Sequence, residues 1–287
     1  MNTRKIRPIY YPLTVPHPER LRKWSCKIDY RSAEVIAAGE VSATRYRLPA
    51  PVPGAAGRRL AFVSDFHYRG HPKDRKLANL AVERIRAFSP DFLCFGGDLT
   101  SDAAELDTQP ELLEKFRDCA PVRFAVPGNW ERGKSWLPVS FWEELYAEAG
   151  IRFLCNAGAE ADCFYFHGAD DLAGGDPRLP ESWPEERAPV LLAHRPDTVI
   201  ALDTCHALDP IALILCGHTH GGQVRFPFLG PVYASSQYGC KLDYGLFERR
   251  GGTPRMIVSS GVGNRSLSFR FNCRRAGRIC LNRTHFS

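Results

Sequence analysis

From Leu60 onward, short apolar runs alternate with stretches in which apolar residues return every three or four positions. The runs LAFVSD (60–65), DFLCFGGD (91–98) and VRFAVPGN (122–129) have the length of buried strands, and the spacing between and after them predicts helices over 75–88, 105–119 and 139–149. Further runs follow at IRFLCN, CFYFHGA, VLLAHR and IALILCGH, with a helix predicted over 197–202. The last third (QVRF, YGLFE, RMIVSSG) reads as strands and turns. Strand segments outnumber helices after Ile151, so the pattern predicts an α/β fold with two packed sheets and helices outside, an αββα sandwich, rather than one doubly wound sheet.

Residues 1–57 read as an irregular basic arm with one strand-like stretch over 40–47, closed by the Pro/Gly-rich linker LPAPVPGAAG. The organised domain is expected over 58–287. Within it, Phe141, Leu145 and Glu148/Ala149 fall near i, i+4 and i+7/i+8, which reads as a core-facing helix stripe. The aromatic stretch Trp136, Phe141, Trp142 and Tyr146 otherwise invites a lipid-binding role.

Composition narrows the class. The 287 residues are 44% hydrophobic and 24% charged, with a mean hydropathy of -0.28, which permits a sizeable core and excludes wholesale disorder. No apolar run approaches the roughly 20 residues of a membrane-spanning helix. The N-terminus has proline and charge where a signal peptide has its apolar segment, so the expected location is cytoplasmic. The ten cysteines occur without any Cys-x-x-Cys, and several sit in apolar runs, as expected of free, buried thiols in a reducing compartment. Charge is uneven: residues 1–31 carry eight Lys/Arg against two acids, and residues 264–287 carry six Arg and no acid. Both basic ends are candidates for peripheral contact with an anionic surface such as the inner membrane; the alternative is two solvated tails. No recognition helix, zinc finger or aromatic RNA-binding signature is present, which argues against a nucleic-acid partner.

The chemistry lies at the ends of the apolar runs. They terminate in Asp65-Phe66-His67, Gly97-Asp98, Gly128-Asn129, His194 and Gly217-His218-Thr219-His220, so seven oxygen or imidazole ligands occur where strands open into loops. In α/β folds, sites assemble at the carboxyl ends of strands. Three or four protein ligands per ion with one shared carboxylate accounts for all seven residues in a two-metal site. Mixed His/Asp/Asn ligation suits manganese, iron, zinc or nickel rather than calcium. Two such ions about 3.5–4 Å apart can hold a bridging hydroxide and clamp an in-line displacement at phosphorus, so the expected substrate is phosphorylated.

The ordered blocks SDFHYRG (64–70), FGGDLT (95–100), PGNW (127–130), LLAHRPD (191–197) and CGHTHGGQ (216–223) resemble the calcineurin-like metallophosphoesterase superfamily. The resemblance covers roughly residues 60–262, and five blocks in order are specific where one would be weak. It implies that Asp65, His67 and His220 hold one ion, Asn129, His194 and His218 the other, and that Asp98 bridges; it casts Asp98, Asn129 and His194 as catalytic. It also implies that Gly96 and Gly97 let backbone and metals approach closely. The Gly221-Gly222-Gln223 extension and the stretches over 228–239 and 258–266 further resemble a bacterial branch often tied to the membrane. Some chlamydia-type members of that branch hydrolyse UDP-2,3-diacylglucosamine in lipid A synthesis.

One position departs from the family. His commonly follows the motif Asn, placed to assist the leaving group, and here it is Trp130. Indole has no proton to give, so a general-acid contribution of about 10²–10⁴ in rate is lost from this position. A leaving group that needs no proton, such as the phosphate of a pyrophosphate, fits that change; Arg132 and Arg195 are candidates to supply charge to the substrate. The expectation is therefore a dinuclear phosphohydrolase acting on a lipid-nucleotide pyrophosphate. A broad nucleotide phosphodiesterase and a weakly active metal-stabilised scaffold are the alternatives.

Overall fold

The computed structural model describes residues 17–26, 33–37, 40–133, 136–204, 206–222, 225–226, 230–231, 234–263 and 278–284; of 26, 33–37, 225–226, 230 and 278–284 the backbone alone is described. Residues 1–16, 27–32 and 38–39 of the N-terminal arm, Gln223, part of 228–239 and the end of 258–266 lie outside these residues.

In chain order the strands are β1 Trp24–Cys26, β2 Ala33–Ala37, β3 Ser42–Leu48, β4 Arg59–Val63, β5 Phe92–Phe95, β6 Val122–Ala125, β7 Arg152–Phe153, β8 Ala157–Ala161, β9 Phe164–Gly168, β10 Ala188–Leu192, β11 Leu213–Cys216, β12 Arg225–Phe226, β13 Gly230–Pro231, β14 Gly245–Arg249, β15 Arg255–Val258 and β16 Arg278–Thr284. The α-helices are α1 Pro18–Leu21, α2 Pro72–Phe88, α3 Gln109–Glu114, α4 Asn129–Gly133, α5 Val139–Glu148 and α6 Pro196–Leu202. One seven-stranded sheet runs β2-β3-β16-β4-β5-β6-β7, and the other runs β1-β14-β15-β11-β10-β9-β8. At their centres β4 to β7 are mutually parallel, as are β9, β10, β11 and β15.

Period-2 alternation explains why both centres read as unbroken apolar runs. In β4 and β5, Leu60, Phe62, Phe92 and Cys94 face the gap between the sheets, while Ala61, Val63, Leu93 and Phe95 meet the helix layer of α2, α3 and α5. In β10 and β11, Val190, Leu192, Leu213 and Leu215 close the same gap from the other side, and Leu191, Ile214 and Cys216 pack outward against α6. Each central strand is thus apolar on both faces, and the layers stack as the expected αββα sandwich.

Four expectations need correcting. The segment before the linker is not irregular: β1 pairs with β14, and β3 pairs with β2 and β16, so it adds strands to both sheets. Part of the C-terminal basic end, offered as a solvated tail or a peripheral contact, instead supplies β16, which lies between β3 and β4. The helix expected over 105–119 is a 3₁₀ segment, Ala103–Thr108, followed by the short α3. Asp102 caps the first piece through the Ala104 N–H, and Pro110, which has no N–H to donate, sits in the first turn of the second. Finally, the buried residues of α5 are Trp142 and Tyr146, each one position on from the predicted Phe141 and Leu145, which pack at the margin; Ala149, as predicted, is buried directly after the helix. The aromatic stretch is therefore mainly core, with Trp136 alone among its members fully in solvent at 95% exposure.

Candidate metal centre

All seven predicted ligands meet at the carboxyl edge of the two sheets. Asp65 and His67 follow β4, Asp98 follows β5, Asn129 follows β6, His194 follows β10, and His218 and His220 follow β11. Sequentially remote residues converge because parallel strands in both sheets open at the same end of the sandwich. Their loops are tightly bent. Asp65, His67, Asp98, His218 and His220 all adopt left-handed backbone with φ between 44° and 71°, a region that non-glycine residues enter at a cost and that clusters at functional sites.

Two buried groups of three ligands result: Asp65, His67 and His220, and Asp98, His194 and His218. His67 Nε2 lies 3.1 Å from His220 Nε2, and His194 Nε2 lies 3.1 Å from His218 Nδ1 and 3.3 Å from Asn129 Oδ1. Asp98 stands between the groups, with Oδ1 3.4 Å from His194 Nε2 and Oδ2 3.7 Å from His67 Nε2. The first group is joined to the second by the His218 N–H, which donates to Asp65 at 3.0 Å.

These residues fit divalent ions. Asp98 Oδ2 is buried and accepts no hydrogen bond. His194 Nδ1 lies 2.7 Å from the Gly96 carbonyl, an acceptor only, so Nδ1 carries a proton and Nε2 is the nitrogen aimed toward Asp98, Asn129 and His218, whose lone pair a metal would take once its proton leaves. His67 Nδ1 is similarly held, by Ser101 Oγ at 2.7 Å. Imidazole nitrogens facing one another around carboxylate oxygens form a mixed donor set suited to a transition metal.

Without metal the site is electrostatically strained. Desolvation pushes Asp65 up to about 6. Desolvation acts to raise Asp98 as well, but His194, His67 and His218 hold it below the usual carboxylate range. Burial works to lower His194, yet Asp98 and Asp65 prevail and push it up to about 10. The metal-free centre thus keeps a proton where a cation would sit.

The candidate substrate residues lie beside this centre. Trp130 is half-buried in α4, and its main-chain N–H donates to Asp98 Oδ1 at 3.0 Å. Arg132 makes a two-point pair with Asp170, Nε to Oδ1 at 2.6 Å and Nη2 to Oδ2 at 3.1 Å. Arg195 Nε lies 3.1 Å from Asp171 Oδ2. Consecutive aspartates after β9 therefore hold both guanidiniums, a relationship that the separated sequence positions concealed.

Two further features were not anticipated. Glu131 is fully buried next to Asp98, and desolvation, then the Asp98 charge, push its carboxyl up to about 7. Its position in PGNWERG shows no periodic signal. The glycines beside Asp98 also serve a purpose other than close metal approach. A Cβ at Gly97, where φ is 84°, would fall 2.5 Å from the Gly128 nitrogen, and one at Gly96 would strike the Phe62 ring. They bring backbone against backbone and ring, which packs the loops that carry the ligands.

The chain matches the calcineurin-like phosphoesterase family over residues 58–222. It belongs to that family. As a metallophosphoesterase it is a metal-dependent hydrolase with a place for two ions. It is 28% identical to Phosphodiesterase YaeI of Escherichia coli K12 over 80% of this chain and 84% of that one. Identity with the uncharacterized metallophosphoesterase YkuE of Bacillus subtilis is 26%, covering 76% of each. The transmembrane protein with metallophosphoesterase domain of Danio rerio is 29% identical over 76% of this chain but 51% of its own length. Among solved structures, a dimetal phosphatase from Danio rerio aligns with a TM-score of 0.46 at 11% identity, covering 72% of this chain and 88% of that chain. Among the described residues of this metallophosphoesterase, no helix is long and apolar enough to cross a membrane.

Proposed function

We propose that the protein hydrolyses a phosphodiester or pyrophosphate bond at a pair of divalent ions, manganese foremost, with iron, zinc and nickel as alternatives. Asp65, His67 and His220 hold one ion; Asn129, His194 and His218 hold the other. The observation that carries this reading is Asp98, whose two oxygens point one to each histidine group. Two bound ions supply an activated water and neutralise charge that develops on the phosphoryl oxygens. The chain's contribution is to place them: Gly96 and Ser101 orient His194 and His67, and the Trp130 N–H orients Asp98.

Arg132 and Arg195, set by Asp170 and Asp171, face a second anionic group of the substrate with the donors that their aspartates leave open. Trp130 offers no proton, so the favoured leaving group is one already stable as an anion. UDP-2,3-diacylglucosamine, cleaved to 2,3-diacylglucosamine 1-phosphate and UMP, meets both conditions and is the sharpest substrate candidate. That reading adds an encounter at an anionic membrane surface, toward which the basic ends contribute about 1 kcal/mol per Lys or Arg near it. The name of the Escherichia coli relative supports the broader reading of a phosphodiesterase.

The test is metal analysis together with kcat/KM for UDP-2,3-diacylglucosamine, a nucleotide phosphodiester and an aryl phosphodiester, with products identified by mass spectrometry. Two ions per chain and turnover that disappears in Asp98→Ala are expected. Asp98→Ala that keeps both ions and more than about a tenth of the activity would remove Asp98 from this role. Absence of turnover on every substrate with two ions bound would overturn the hydrolytic reading in favour of a scaffold.

A further inference from the structure

Glu131 makes three hydrogen bonds that join two ligand-bearing loops. Its Oε2 accepts from the Asp98 N–H at 3.0 Å and from the Gly128 N–H at 2.8 Å, while Oε1 accepts from the Leu99 N–H at 2.8 Å. Asp98 and Leu99 follow β5; Gly128 follows β6 and directly precedes Asn129. The side chain is 0% exposed, so no solvent competes for these donors. An ionised carboxylate suits the position because both its oxygens only accept, and the Leu99 and Asp98 N–H groups favour that form against the burial and the Asp98 charge that raise it. A neutral amide would turn its NH₂ toward at least one of the three N–H groups.

The Trp130 N–H returns a bond to Asp98 Oδ1, so the clamp binds the β5 loop at its backbone and at the side chain that stands between the two ligand groups. Moving Glu131 moves Asp98 and Asn129 relative to each other.

We infer that Glu131 is a positioning residue that sets the separation of Asp98 and Asn129, and through it the affinity and geometry of the ion held with His194 and His218. The inference rests on the two-ion reading above. Outer partners that orient metal ligands are worth about 10–100-fold in metal affinity, and that is the loss expected here.

The experiment titrates Mn²⁺ into wild type, Glu131→Gln and Glu131→Asp, followed by calorimetry and by the electron paramagnetic resonance spectrum. Wild type should bind two ions and give the spectrum of a spin-coupled pair. Glu131→Gln should bind the second ion about 10–100-fold more weakly and give a mononuclear spectrum at equimolar metal, with kcat reduced and KM near wild type. Glu131→Asp keeps the charge but is one methylene shorter, and should fall between the two. Should the variants fail to fold, hydrogen exchange of the metal-free wild type decides: the Asp98, Leu99 and Gly128 amides should be strongly protected, and free exchange overturns the clamp. Wild type binding no ion pair would defeat the two-ion reading itself. Two ions bound by Glu131→Gln with unchanged affinity and a coupled spectrum would defeat only the role of Glu131.

Discussion

Trp130 is tied to Asp98 through its main chain, the N–H donating to Oδ1 at 3.0 Å, and that bond is independent of the indole. The side chain at this position can therefore change without removing the contact that orients Asp98. Trp130→His should keep two ions per chain and restore a proton donor beside the leaving group. Alkyl phosphodiester kcat/KM should then rise toward the 10²–10⁴ credited to general acids, with much less gain for a pyrophosphate. A wild type that already prefers the alkyl ester would show that another residue donates the proton.

Gly128 offers a steric test of the loop junction. A Cβ there would overlap the Asp98 nitrogen and carboxylate, and would come within 2.8 Å of Glu131 Oε2. These are main-chain atoms and a clamped side chain, so they cannot step aside. Gly128→Ala should destabilise the fold by about 1–3 kcal/mol in denaturant titration and weaken binding of the ion near Asn129. An unchanged midpoint and unchanged metal content would mean that the two loops yield freely.

Metal binding should release protons. His194 is pushed up to about 10 in the metal-free site, against the desolvation that would lower it, and ligation requires Nε2 unprotonated because Nδ1 already donates to Gly96. At about pH 8 roughly one proton should leave His194 as metal enters, and affinity should increase as pH rises toward that value. Below about 6, protonation of Asp65, pushed up by burial, weakens binding further. Calorimetry in buffers of different ionisation enthalpy measures the released protons, and a count of zero contradicts the assignment.

Mutation of Arg132 will not report on substrate alone. Its partner Asp170 is 5% exposed, so Arg132→Ala leaves a nearly buried carboxylate without its guanidinium, at a cost of about 3–5 kcal/mol. The double variant Arg132→Ala/Asp170→Ala should recover most of that stability, and its KM, rather than that of the single variant, measures what Arg132 does for substrate. Equal unfolding free energies in the single and double variants would show that the pair is not coupled.

Much of the site was legible because strands buried on both faces write themselves as apolar runs, and parallel strands present their next residues at one edge. Asp65, Asp98 and His194 were each readable as the first titratable groups after such a run. Glu131 was not, since nothing in a polar five-residue helix marks a side chain that folds back onto the amides of a loop some thirty residues earlier. The face of α5 was misread by one position because aromatic residues occur on adjacent sides of it, and packing against Phe95 and Phe153 selects Tyr146 for the core.

The amino-acid order alone determined the layers and the candidate ligands, because burial period and the residue types at strand ends are local properties. The insertion of β16 between β3 and β4, the sharing of Asp98 by two histidine groups, the clamp of Glu131 and the capture of Arg132 and Arg195 by adjacent aspartates belong to the assembled molecule. Each depends on distances between segments from 24 to more than 200 residues apart in the chain, and such distances exist only once two sheets have closed on a common core.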